Sequence, residues 1–178
     1  MTSRFLGTAA GLLGLAGWGW SQVFPSQVEY NGTTTVGVFT QLVSSDNRYL
    51  KFNLSQNEEV AVPTISVVLE ASAPGNDFET ISFQWESGVE VDNIASDPAI
   101  WTQVELYNFA TRHWDLVYLD LCTAVGWDDA NEAVVRSAGY IHPLTGRVRS
   151  RITWFGDAVQ FDRGRIDRAF WTFGGGDH

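Results

Sequence analysis

The 178-residue sequence contains a single cysteine, Cys122. One thiol excludes an intrachain disulfide and a cysteine-based zinc cluster. It sits in the apolar run YLDLCTAV, where a thiol is expected to be a small buried hydrophobe and not a nucleophile. Histidine is almost as scarce. His113 stands in a turn, His142 beside Pro143 and His178 at the last position, and no spacing joins two of them as metal ligands. HExxH, G-x-S-x-G and a phosphate-cradling glycine loop are all missing. Positive charge is sparse too, with 11 Lys and Arg against 21 Asp and Glu, a net of −10. Such a chain repels phosphate backbones, so nucleic acid is not an expected partner. After residue 22 no run is long and apolar enough to cross a membrane, so no span is expected in the mature chain.

What is present points to a folded domain. Hydrophobic residues make up 44% and charged residues only 18%, which disfavours disorder, and the length suffices for one sizeable core. The first 22 residues, MTSRFLGTAAGLLGLAGWGWSQ, set one arginine before an apolar run. Charge and length match a secretory signal, which leaves residues 23–178 as a single domain, secreted or at the cell surface. Residues 5–20 are too short and glycine-rich for a membrane span. No clean A-x-A marks a cleavage point, and the alternative is a retained arm that packs on a neighbour.

Beyond residue 22 apolar residues alternate with polar ones, in short stretches bounded by Gly, Pro, Asn and Asp. TISFQWE sets Ile81, Phe83 and Trp85 inward and Thr80, Ser82 and Gln84 outward. PTISVVLEA aligns Ile65, Val67 and Leu69, TTTVGVF aligns Thr34, Val36 and Val38, and VELY aligns Val104 and Leu106. RVRSRITWF is the sharpest case: Val148, Ile152 and Trp154 share a face and Arg147, Arg149 and Arg151 take the other. AVQFD and AFWTF read as closing strands. In DDANEAVVRSAG, residues 128–139, we expect a loop with one turn and then a short strand. One antiparallel sheet cannot bury its own apolar face, whereas two sheets can bury theirs together. The expected fold is all-β, an antiparallel two-sheet β-sandwich of jelly-roll-like form.

Several stretches resemble a recurring β-sandwich module of secreted bacterial multidomain proteins, carbohydrate-binding-like or discoidin-like. They are VGVFTQLVSSDNRYLKF, VELYNFATRHWDLV, YIHPLTGRVRSRI and FDRGRIDRAFW, and the resemblance covers about residues 28–173. The resemblance implies a sandwich that binds polysaccharide without catalysis. Trp114, leading the second strand of its hairpin, is expected to pack inward beside Leu116, and Trp154 to lie in the core. Trp101 and Trp127 are flanked by polar turn formers and are candidates for a ligand-facing rim. With Tyr107, Asp128 and Asn131 they form the expected ligand-binding set.

Other chemistry is weaker. Glu79, Glu86, Glu90 and Asp92 lie on or near strands, but an outward strand face explains them as well as a glycosidase pair does, so no catalytic residue is expected. Calcium favours hard oxygen ligands from loops. VDNIASDP, with Asp92 and Asp97, and GWDDAN, with Asp128 and Asp129, are the candidate loops, although Asp and Asn also favour turns. The charge is uneven: residues 1–140 carry a net of −12 and residues 141–178 a net of +2. The stripe Arg147, Arg149 and Arg151 either faces an anionic partner or is balanced by carboxylates across the sheet. The first reading admits an acidic polysaccharide or other copies of the chain, and hence an alternative role as a self-associating structural or surface-assembly subunit.

Overall fold

The computed structural model describes residues 3–6, 21–31, 35–37, 39–46, 48–53, 64–91, 99–122, 128–156 and 163–175, with the backbone alone for 3–6, 35, 36 and 39. Within these, twelve strands form: β1 (Ser3–Leu6), β2 (Ser21–Val23), β3 (Gln27–Asn31), β4 (Thr35–Val36), β5 (Leu50–Asn53), β6 (Thr64–Ser72), β7 (Thr80–Glu90), β8 (Trp101–Asn108), β9 (His113–Leu121), β10 (Asp129–Arg136), β11 (Arg147–Phe155) and β12 (Arg163–Gly174). A short 3-10 helix, Phe39–Val43, lies between β4 and β5. No helix among the described residues is long and apolar enough to cross a membrane.

The strands pair antiparallel in two sheets. Sheet A runs β1-β3-β6-β11-β8-β9, and sheet B runs β10-β7-β12-β5-β4, with β2 also on β12. Strands β5–β12–β7–β10 and β6–β11–β8–β9 are the two four-stranded layers of a jelly roll, in which the last two strands sit between earlier ones. The expected sandwich is therefore the observed one. Ser3–Leu6 pairs with β3, Ser3 opposite Tyr30 and Leu6 opposite Gln27.

The period-two pattern places the core. Ile81, Phe83 and Trp85 of β7 face Ile65, Val67 and Leu69 of β6 and Val148, Ile152 and Trp154 of β11, all buried. Trp85, Trp154 and Trp171 are the largest fully buried side chains. Their indole N–H groups have no hydrogen-bond partner among the described residues. Each orphan donor costs on the order of 1–3 kcal/mol, which the burial of a large ring offsets. Gly164 of β12 lies beneath Trp154, and a Cβ there would come within 2.5 Å of the ring.

Four expectations need correction. Among the described residues the TTTVGVF stretch is strand only at Thr35–Val36, and its Phe39 opens the 3-10 helix. Residues 129–136 form a full strand, because every one of them pairs with β7, from Asp129 opposite Ser87 to Arg136 opposite Thr80. Trp114 and Leu116 do not face the core. Directly opposite residues share a face; Trp114 lies opposite Tyr107 and Leu116 opposite Glu105, which alternate with the buried Val104 and Leu106. Trp114 is accordingly half-buried on the outer face and Leu116 is 56% exposed. Cys122 is half-buried and packs against the core without joining it. Trp127, Asp92, Asp97, Thr34, Val38 and the AVQFD stretch lie outside the described residues.

Candidate functional site

Strand β9 closes one edge of sheet A and β10 the matching edge of sheet B. Among the described residues the sandwich is open where these edges face each other, and a cleft of about 270 Å³ enters between the layers. Its lining includes Tyr118, Asp120 and Cys122 from one side, Asp129 and Asn131 from the other, and Thr102 and Ser87 at the back. The volume is near the lower end of the ~300–1,000 Å³ usual for small-molecule sites.

Pairing register explains why these side chains converge. Asp129 lies opposite Ser87 and Asn131 opposite Trp85, so both turn toward the inside of the sandwich. On β9 a bulge opposite Val104 and Glu105 inserts one extra residue. Past it, Tyr118 lies opposite Val104 and Asp120 opposite Thr102, both inward-facing. The Tyr118 ring meets the buried Trp85 edge-on at 5.2 Å, which fixes it as one wall. The Asn131 amide donates to the Asp129 carbonyl at 3.4 Å, and the Leu121 amide donates to Asp120 Oδ1 at 2.8 Å. Burial raises the Tyr118 hydroxyl above the usual tyrosine range, and the neighbouring Asp120, Cys122 and Asp129 push it the same way. It stays protonated and can donate.

The cleft thus presents two carboxylates as acceptors, an amide and three hydroxyls as donors and acceptors, and one aromatic ring. No Lys, Arg or His is among its lining residues. The arrangement suits a neutral, hydroxyl-rich molecule and disfavours an anionic one. The thiol of Cys122 has no histidine in the lining to activate it.

The residues expected to bind ligand together are separated. Asn131 and Asp129 line the cleft, whereas Asp128 sits outside it with Glu86 and Asp167, their carboxylate oxygens within 4.8 Å of one another. Asp128 and Asp129, the two calcium candidates of this loop, thus stand in different surroundings. Tyr49 donates to Asp128 at 2.7 Å, the Arg165 guanidinium covers the Tyr49 ring at 4.3 Å, and Arg168 stands 3.9 Å from Glu86. Arginines within the chain thus balance this acidic cluster. Trp101 lies on the outer face of sheet A, 37% exposed, opposite Leu121. Tyr107 shares that face six residues along β8, roughly 20 Å away at ~3.4 Å per residue. Tyr118, Asp120, Thr102 and Ser87 were not visible as a set in the sequence, because a bulge and two different strand pairings bring them together.

The arginine stripe lies on the outer face of sheet A, each member beside a carboxylate. Arg147 is 3.6 Å from Glu70, Arg149 is 3.3 Å from Glu70 and 3.5 Å from Glu29, and Arg151 is 2.5 Å from Glu105. Trp114 lies beneath two of them, with the guanidiniums of Arg149 and Arg151 at 5.5 and 4.5 Å from its ring. Each guanidinium of the stripe thus stands against a carboxylate of a neighbouring strand, the arrangement of the cross-strand reading. Glu90, a carboxylate weighed for catalysis, is tied to Lys51, Arg163 and Arg165. Burial alone would raise its carboxyl, but the hydrogen bonds from Lys51 and Arg163 and the charges of Lys51 and Arg165 hold it below the usual range. That is opposite to what a glycosidase acid needs.

Tyr49 supplies a pH signature. Burial, the hydrogen bond to Asp128 and the Asp128 charge push its hydroxyl up to about 12. The unfolded chain releases this proton near pH 10 while the folded chain retains it, so stability falls as pH rises from about 10 to 12. Denaturant midpoints across that range should drop in the native protein and drop less in Tyr49→Phe. Equal slopes in both would show that Tyr49 is not protected.

No family model matches the chain, and no curated protein sequence matches it. Solved structures similar to it include the carbohydrate-binding module TmCBM61 in complex with β-1,4-galactotriose, at 12% identity over 85% of this chain and 86% of that one, TM-score 0.45. A family 29 carbohydrate-binding module matches at 12% identity over 98% and 92%, TM-score 0.42. The xylan-binding module CBM15 matches at 11% identity over 97% and 100%, TM-score 0.46. At this level the likeness concerns the course of the chain, and the β-sandwich assignment itself rests on the strand pairing above.

Proposed function

We propose that this chain binds a neutral carbohydrate in the β9–β10 cleft and does not turn it over. One observation carries the reading: an open cleft with two carboxylates, an amide, hydroxyls and a tyrosine ring, and no cation in its lining. Sugar hydroxyls donate to carboxylates and accept from amide and hydroxyl hydrogens, and a sugar's apolar face packs on an aromatic ring. The absence of a histidine beside Cys122 and the lowered Glu90 support binding without catalysis. We place this activity outside the cell on the pattern of residues 1–22; mass spectrometry of the protein exported by its native host tests that by its N-terminal residue.

Calorimetry with neutral galacto-, manno-, cello- and xylo-oligosaccharides tests the binding. At least one series should bind. Tyr118→Ala should weaken it at least tenfold, equivalent to about 1.4 kcal/mol, and Asn131→Ala should weaken it too. Trp114→Ala, on the other side of sheet A, should leave it unchanged. No binding of any series, or an unaltered affinity in a folded Tyr118→Ala, overturns the proposal.

A further inference from the structure

The outer face of β9 carries an apolar row of which only Leu121 also borders the cleft. Leu116, Leu119 and Leu121 are 56%, 47% and 46% exposed, and Trp101 adjoins Leu121 on the neighbouring strand. β9 is also the last strand of sheet A, and among the described residues no strand pairs with its other side. A nine-residue edge with exposed leucines is a template for another strand.

The bulge gives this edge a symmetry. From Trp114 to Leu116 the side chains alternate out, in, out, following Tyr107, Leu106 and Glu105 opposite. Val117 and Tyr118 both pack toward the core. Leu119, Asp120 and Leu121 then resume out, in, out. The facing pattern of WDLVYLDL therefore reads the same from either end, with its centre between residues 117 and 118. A regular strand cannot do this, because its alternation would put one of the two central residues outward.

We infer that β9 pairs with β9 of a second copy of this chain, antiparallel, about a two-fold axis between residues 117 and 118. In this register Trp114 lies opposite Leu121 of the second copy and Leu116 opposite its Leu119, so every outward apolar residue meets another. Such an interface is isologous and closes at two copies, which avoids an open filament. The charge distribution favours this face. Each copy carries a net of −10, yet here Arg147, Arg149 and Arg151 balance Glu29, Glu70 and Glu105. The outer face of sheet A beside the edge therefore adds no net charge from the stripe, and the charges on β9 itself are Asp115 and Asp120. One opposition, made twice by the two-fold axis, is unfavourable: Asp115 against Asp120 of the second copy. Asp115 is held within its own layer by hydrogen bonds from Asn108 and Tyr140. The area sets the strength. Three half-exposed leucines and two tryptophan rims offer about 250 Å² of apolar surface per copy, taking on the order of 100 Å² per free leucine. With the strand edge this remains below the ~800 Å² per partner of a standard interface. The dimer is therefore a weak, concentration-dependent one.

Sedimentation velocity of the full chain over a hundredfold range of concentration tests this. The weight-average mass should rise from one to two chains and stop there. Salt should strengthen the association, since it screens repulsion between two acidic bodies. Leu116→Lys and Leu119→Lys should each keep the chain monomeric while far-UV circular dichroism stays unchanged. The register is read separately in a Cys122→Ser background. Leu116→Cys mixed with Leu119→Cys should form an intermolecular disulfide, because directly opposite Cα atoms lie about 4.5–5.5 Å apart, and neither variant should cross-link alone. A chain that stays monomeric throughout, growth beyond two copies, dimers that survive the lysine substitutions, weakening by salt or cross-linking of either variant alone would each overturn the inference.

Discussion

Trp154→Ala is expected to lower the unfolding free energy by about 3–5 kcal/mol, the range for removing a buried aromatic side chain. The ring is fully buried on β11, the central strand of sheet A's jelly-roll layer. It reaches across the sandwich to Gly164 on β12, where a Cβ would approach its Cε3 within 2.5 Å. The glycine and the tryptophan therefore occupy one volume between them. Gly164→Ala alone should destabilise by roughly 1–3 kcal/mol through overpacking. In the Trp154→Ala background the same change should cost almost nothing, because the added methyl enters the vacated space. Urea unfolding of the two single variants and the double variant measures this coupling. A loss below about 1 kcal/mol for Trp154→Ala, or strict additivity of the pair, would show that the two residues do not share the core in this way.

Arg151→Ala should cost about 2–3 kcal/mol, much more than the same change at Arg147. Glu105 is only 7% exposed, and its Oε2 accepts from Arg151 Nε at 2.5 Å. Without Arg151 that carboxylate is left nearly buried beside no cation, a state that costs about 3–5 kcal/mol in fully buried pairs. The lower figure here reflects the partial exposure of the arginine side chain. Part of the loss is packing, since the guanidinium also covers Trp114 at 4.5 Å. Arg151→Lys should recover only some of it, because an ammonium lacks the planar stack and the fork of donors. Arg147 is largely exposed and 3.6 Å from Glu70, and its removal should change stability by less than about 0.5 kcal/mol. Thermal or urea unfolding of the three variants ranks these effects. Equal losses at Arg147 and Arg151 would mean that the stripe acts only as surface charge.

These two strands also show what a period of two reveals and what it conceals. Alternation in RVRSRITWF placed Val148, Ile152 and Trp154 inside and the arginines outside without any knowledge of neighbours. WDLVYLDL has apolar residues on both faces, so its orientation depends on what lies opposite, and register with β8 turned Trp114 out. Aromatic character suggested burial there, but an edge strand offered an outer face where a ring can lie under two guanidiniums. DDANEAVVRSAG carries cap-like ends and alanines that obscure a strand, and the long β7 recruited it nonetheless. Tertiary pairing overrode local preference in that segment. The site was half legible for the same reason. Asp129 and Asn131 stood out as polar groups near a turn. Tyr118 and Asp120 became their neighbours only through a bulge that no local pattern announces. Tyr107 and Asp128, grouped with them by composition, were carried to other faces.

The central position of β11 and β12 has a consequence for how the molecule comes into being. A nascent chain emerging from the ribosome delivers β6, β7, β8 and β9 early, and the β8–β9 hairpin is local enough to form at once. Neither layer is continuous until Arg147–Phe155 inserts between β6 and β8, and Arg163–Gly174 between β5 and β7. At ~5–20 residues per second the synthesis of this stretch takes roughly 1–6 s. During that interval Trp85, Phe83 and Ile65 have no opposing central strand to cover them. Closure of both layers therefore waits on the stretch Arg147–Gly174, and the exposure of these inward faces to misassembly lasts until that stretch is in place.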